Sequence, residues 1–127
     1  MRAGTYNFTC EQGSTFSRLI EIEQPDLIAD PTGQTFEDFD LNGYTARMQV
    51  RRTIDSSTAM VTLTTENGGL VINQTPGSSN NLNIYMDNTV TATLLNSGVY
   101  DIEIINDGGE VSRILQGVFT VSPEVTR

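Results

Sequence analysis

Apolar and polar residues alternate with a period of two along most of this chain, the pattern of strands that bury one face and wet the other. The clearest run is Tyr44 to Arg52. Tyr44, Ala46, Met48 and Val50 fall on one face, and Thr45, Arg47, Gln49 and Arg51 on the other. Ser14 to Glu23 alternates as well, with Phe16, Ile20 and Ile22 on one side and Arg18 interrupting them. Thr5 to Thr9 reads as a first edge strand that places Tyr6 and Phe8 together. Ala59 to Thr64, Leu70 to Asn73, the stretch carrying Leu82, Ile84 and Met86, Val99 to Ile105, and Val111 to Val121 complete the set. Asn67-Gly68 and Asn106-Asp107-Gly108-Gly109 read as hairpin turns, because Asn and Gly tolerate positive φ.

The alternation breaks twice. Residues 24–42 carry Pro25, Pro31 and Gly33, which argue against regular pairing. This is a long acidic loop: Glu21, Glu23, Asp26, Asp30, Glu37, Asp38 and Asp40 lie in or beside it, with no cation among them. A short extended piece is expected around Phe36 and Phe39. Those aromatics either fold back over the end of the domain, the preferred reading, or stand out to dock on a partner. The second break is Asp87 to Leu95. Asp87 caps a single helical turn that points Val90 and Leu94 inward and carries the chain from one sheet to the other.

That crossing ends at Leu95-x-x-Gly98-x-Tyr100, the spacing of a tyrosine corner, in which the phenol bonds back to backbone just upstream. Seven or eight short strands plus such a corner predict an all-β, immunoglobulin-like antiparallel β-sandwich with at most one short helical turn. No helix long enough for a crossover between parallel strands is expected, which speaks against a parallel sheet. Residues 1–127 form one domain, closed by a short tail over residues 123–127.

Composition narrows the chemistry. Of 127 residues 37% are apolar, below the usual ~45–50%, as suits strands with one solvated face. The formal charge of −9 argues against a nucleic-acid partner, whose phosphates it would repel. All seven cations are Arg, the side chain that pairs carboxylates bidentately at interfaces. His is absent, which removes the commonest general base and metal ligand. Cys10 is alone, so no intrachain disulfide is possible, and an inert small residue is expected. The first residues lead into no apolar run, so neither a signal peptide nor a membrane span is expected.

Three constellations remain. Asp26, Asp30, Glu37, Asp38 and Asp40 offer hard oxygen ligands, but their spacing matches no EF-hand loop, and a solvated loop is the expectation over calcium. Asp101 and Glu103 share a strand face, with no aromatic platform for a sugar, so they are expected on the wet side of a sheet. Arg47 and Arg51 share a face of the best strand, with Arg52 beyond. They either contact a neighbour, such as the acidic stretch Glu37 to Asp40 of another copy, or pair within the chain with Asp101 or Glu103. No catalytic group, cofactor or metal is expected.

Gln12-Gly13-Ser14-Thr15-Phe16, Asp40 through Arg51, Leu63 through Gly69, Ser97-Gly98-Val99-Tyr100-Asp101, and Arg113 through Pro123 follow one another along the chain. That order of motifs resembles small virion proteins of tailed bacteriophages, similar to the N-terminal domain of baseplate upper proteins and to tail-fibre-associated sandwiches. It implies a non-enzymatic adaptor of the tail or baseplate that anchors fibres or joins neighbouring virion proteins. It further implies several copies per virion, assembled in the cytoplasm of a bacterial host, with any fibre shaft supplied by another chain. Arg47, Arg51, Arg52, Phe36, Glu37, Asp38, Phe39 and Asp40 are the expected interface. The stretch from Gln24 to Asp40 is longer than the family's, and Asn88 to Leu95 replaces a better helix. A capsid decoration protein is the alternative, and a carbohydrate-binding module a distant third.

Overall fold

The alternating segments become strands because each has one apolar face to bury, and the breaks become crossings between sheets. In the computed structural model of the chain, which describes residues 3–126, the elements are β1 (Gly4–Thr5), β2 (Phe8–Glu11), β3 (Phe16–Glu21), β4 (Glu23–Pro25), β5 (Phe36–Asp38), β6 (Thr45–Arg51), β7 (Val61–Thr64), β8 (Leu70–Ile72), β9 (Asn81–Met86), α1 (Asn88–Thr91), β10 (Gly98–Ile105) and β11 (Val111–Ser122). The larger sheet runs β1-β11-β10-β6-β7, with β2 following β1 along the same edge of β11. The second sheet is β3-β9-β8, and β4 and β5 form a small hairpin of their own. The chain is all-β apart from the one turn of helix.

The inner faces meet in one core. Ala46, Met48, Val50, Ile102, Ile104 and Phe119 of the larger sheet face Phe16, Leu70, Leu82, Ile84 and Met86 of the smaller. At one end Phe8, Phe16, Tyr100 and Phe119 pack ring against ring, with centroids 5.1–6.4 Å apart in tilted and edge-on geometries. Leu41 and Leu94, from the two crossings, are fully buried in the same cluster. The helical turn is built as its sequence implies: Asp87 Oδ1 accepts from the Val90 N–H, Leu94 fills the core, and Val90 packs against it.

Four expectations are corrected. The first concerns strand direction: β1 and β2 pair with β11 in parallel, so the sheets are not wholly antiparallel. No helical crossover is needed, because the rest of the domain lies between those strands in sequence. The expected strand Thr5 to Thr9 is also broken at its middle. Tyr6 turns outward while Phe8 goes in, and Asn7 bridges the gap by accepting from the Val118 N–H through its side chain at 2.9 Å.

The second correction concerns Pro25, which does enter a ladder, opposite Phe36. It ends β4, where a missing N–H costs nothing, and the Asp26 N–H donates to the Thr35 carbonyl just beyond. The third concerns Asn67-Gly68, which joins no hairpin. β7 pairs with β6 and β8 pairs with β9, so this turn passes the chain from one sheet to the other. Gly68 takes φ 81° there, and Asn67 Oδ1 accepts from both the Thr64 and Gly69 N–H groups.

The fourth correction concerns the corner. The Tyr100 phenol does not return to nearby backbone; it donates at 2.6 Å to the carbonyl of Tyr6, 94 residues away. Leu95 is 78% exposed, and Leu94 takes the buried place. The chain rises into β10 without room for a side chain at Gly98, where a Cβ would run into the Arg51 carbonyl. What closes this end is a set of side-chain bonds. Ser97 Oγ accepts from the Val121 N–H, Thr91 Oγ1 donates to the Ser14 carbonyl, and Gln12 links the Leu94 carbonyl to the Glu124 N–H.

Tyr100→Phe deletes the bond to Tyr6 while keeping the ring. It is expected to cost about 1–2 kcal/mol of stability and to raise amide exchange in β1 more than in β6, both measurable by denaturant titration with hydrogen exchange. Burial also pushes the Tyr100 phenol well above its ordinary pKa of 10.0 and raises the Cys10 thiol from 9.0. Groups raised on folding stabilise fully below their unfolded pKa and lose that contribution as pH rises. Stability is therefore expected to decline from about pH 9 upward. No Lys complicates that window, and Tyr100→Phe is expected to flatten the decline.

Candidate functional site

Two surfaces carry the charged residues that the sequence singles out. The first is the outer face of the larger sheet. Cross-strand register sets Glu103 between Arg47 and Arg113, Asp101 between Gln49 and Gln116, and Val99 between Arg51 and Val118. Arg47 Nε meets Glu103 at 2.7 Å and Arg113 Nε meets Asp101 at 3.3 Å. Both arginine side chains stay about half exposed, so these pairs add little stability. Of the two partners expected within the chain, Glu103 takes Arg47, and Asp101 goes to Arg113 instead. The two carboxylates lie on the wet face, as their spacing predicts.

Arg51 and Arg52 find no carboxylate among the described residues. Arg51 donates to the Ser56 carbonyl and to Gln49 Oε1, and Arg52 donates to the Ser97 carbonyl. These neutral acceptors fix the guanidinium groups without cancelling their charge. Arg51 also pins the turn after β6, and that turn holds Ile54 over a shallow groove of about 590 Å³. Val99 and Val118 line the groove beneath, with Arg51 and Arg113 and the carboxylates Asp101 and Glu103 around them.

The second surface is the β4–β5 hairpin. Its base is tied down by backbone bonds from the Phe39 N–H to the Ile22 carbonyl and from the Leu41 N–H to the Ser79 carbonyl. Asn80 Nδ2 also donates to the Ile22 carbonyl. The two aromatics part company here. Phe39 folds back against Tyr44, with ring centroids 5.6 Å apart, and covers the core as preferred. Phe36 stands out, 57% exposed.

The five carboxylates weighed for calcium do not gather. Asp26 accepts from the Ala29 N–H, and Asp40 from the Asn42 N–H. Glu37 accepts from the Gln24 amide. Asp30 accepts from the Thr32 hydroxyl and N–H and from the Thr35 hydroxyl, and these donors hold its carboxyl below the ordinary value. Asp26, Asp30 and Asp40 each cap a turn of their own, and among the described residues no three metal-ligating side chains converge.

Sequence reasoning missed the hairpin tip. Leu27 and Ile28 are 60% and 98% exposed. The signal was legible in principle, since these two large apolar residues belong to no alternating strand. Ile54 was missed for the same reason: it sits in a turn, outside any period.

No family model matches the chain, and no curated protein matches its sequence. No helix among the described residues is long and apolar enough to cross a membrane.

Cys10 is fully buried on β2, and burial raises its thiol while Arg18 partly offsets the shift. The thiolate is the reactive form, so native protein at pH 8 is expected to resist a maleimide for hours and to label fully in denaturant. Rapid labelling of the folded protein would contradict an inert thiol.

Proposed function

We propose that this chain is a non-enzymatic structural module of a tailed-phage virion, an adaptor at the tail or baseplate that joins neighbouring virion proteins. The observation that carries the reading is the division of uncompensated charge. Arg51 at the end of β6 and Arg52 just beyond it are bonded only to neutral acceptors, and the acidic hairpin holds carboxylates bonded only to amides and hydroxyls. Surfaces of this kind are matched by neighbours rather than within the domain.

The motif resemblance supports the same reading. So does the strand order, which is compatible with an immunoglobulin-like sandwich: the first strand lies parallel beside the last, and the helical turn joins the two sheets. In such a module the rigid sheets present loops and edges to symmetric partners. Its other virion contacts are protein rather than nucleic acid or membrane, in keeping with the net acidic charge.

Arg47→Glu combined with Arg51→Glu is expected to leave the circular dichroism of the domain unchanged and to block its incorporation into particles. Normal incorporation of that variant dismisses the arginine face as a contact. Reconstruction of intact particles by cryo-EM locates the chain. A few dozen copies or fewer at the tail match the adaptor, hundreds on the shell match capsid decoration, and absence from particles overturns both.

A further inference from the structure

We infer that two copies of this chain stack through the outer face of the smaller sheet, with their Asn83 amides paired at a twofold axis. The contact uses neither the arginine face nor the acidic hairpin, and it does not depend on a virion role.

Register defines the face. Leu82, Ile84 and Met86 of β9 point into the core, so Asn81, Asn83 and Tyr85 point outward. Ser17, Leu19 and Glu21 of β3 and Val71 of β8 share that outer side. Leu19 and Val71 flank Asn83 in one cross-strand row, and Tyr85 follows along β9. Leu19, Val71 and Tyr85 are each more than a third exposed. At the other end Asn81 is buried and its Oδ1 accepts from the Thr75 N–H. Glu21, beside it, is the one charged side chain that these three strands turn outward.

Asn83 points to the occupant. It is more than nine-tenths buried, sunk between Leu19 and Val71. Its Oδ1 accepts a long bond of 3.5 Å from Ser17 Oγ, and its Nδ2 donates to nothing among the described residues. Amide donors held in such a place call for an acceptor brought from outside. A second Asn83 supplies one. A primary amide both donates and accepts, so two of them facing across an axis satisfy each other. The ~10 Å spacing of stacked sheets accommodates one short side chain from each side. The same axis lays the Leu19–Val71 row of one copy on that row of the other, which gives the polar pair an apolar surround.

Charge favours the same occupant. At a formal −9 two copies repel in most approaches. The outer face of the larger sheet carries Arg47, Asp101, Glu103 and Arg113, whereas this face carries one carboxylate at a corner. A strongly charged partner gains little here, and a like-charged copy is repelled least. The surface complements itself, so the contact is isologous and closes as a dimer. Three strands of at most six residues span about 300 Å² in plan. That is short of the ~800 Å² each partner gives a standard interface, so the dimer is weak. Salt strengthens it by screening the repulsion between the copies.

Sedimentation velocity of the unmodified chain is expected to show a monomer–dimer equilibrium that stops at the dimer and shifts toward it as salt is raised. Leu19→Asp, at an exposed edge-strand position, is expected to weaken the dimer by at least about tenfold in Kd, with its melting temperature unchanged. Asn83→Asp keeps the shape of the side chain and sets two carboxylates together at the axis, and it is expected to stay monomeric over the same concentrations. Ile28→Asp and Ile54→Asp alter exposed apolar residues elsewhere and are expected to dimerise like the unmodified chain. A chain monomeric at millimolar concentration, assembly past the dimer, undiminished dimerisation of Leu19→Asp or Asn83→Asp, or loss of the dimer in Ile28→Asp or Ile54→Asp overturns the inference. All of these are read on the purified chain, so the virion role stands or falls separately.

Discussion

The Tyr100 phenol reaches from the middle of the core face to the carbonyl of Tyr6 and so holds the beginning of the chain against its end. The contact sits where the first strand has to break. Tyr6 and Asn7 interrupt the run between β1 and β2, and a Cβ on Gly117 would collide with the Tyr6 carbonyl. The close approach of those two backbones is therefore fixed by a glycine on one side and a phenol on the other. Once it is made, Phe8 drops into the aromatic cluster with Phe16, Tyr100 and Phe119, and both sheets share one packed end. A core of this kind is close-packed, so the placement of one ring constrains the next.

That packing also decides how the sheet edges are left. The larger sheet ends in β7 on one side and in β1 and β2 on the other, and the smaller sheet ends in β3 and β8. Unpaired edges invite strand addition, and short or charged edges discourage it. β1, β7 and β8 are two to four residues long. β3 is longer, and it carries Arg18 at its centre. That guanidinium lies over the Phe16 ring at 4.4 Å and donates to the Thr9 carbonyl across the gap between the sheets. The arginine that interrupts the apolar face of β3 in sequence is the residue that seals this open side.

Much of the architecture is legible in the alternation. Tyr44 to Arg52, Val99 to Ile105 and the stretch around Ile84 form strands with the expected faces buried, because period two leaves only one way to hide their apolar side chains. Pairing is less legible, because a turn signal fixes a local reversal and not the sheet its arms join. Asn67-Gly68 reverses the chain as predicted, yet Leu63 and Leu70 bury into opposite sheets. The corner spacing is present, but the acceptor for its phenol is set by a strand 94 residues away, and no local pattern encodes that. At the candidate site the arginines could be placed on one face. Their division between paired Arg47 and Arg113 and unpaired Arg51 and Arg52 depends on register, and the Ile102–Glu103 irregularity in β10–β11 shifts that register by a residue.

The charge arrangement follows from rigidity as much as from composition. A flexible acidic loop would be free to fold back onto arginines of its own chain, since oppositely charged groups attract most strongly at contact range. Here the hairpin is clamped at its base through Ile22, Asn80 and Leu41, and Phe39 is packed against Tyr44, so the tip is held away from the core. The Asp and Thr turns within the loop stiffen it further, by giving its carboxylates local donors in place of distant cations. On the other side, Arg51 is held to Ser56 and Gln49, and Arg52 to Ser97. Each surface keeps its charge because its own hydrogen bonds satisfy geometry without cancelling sign.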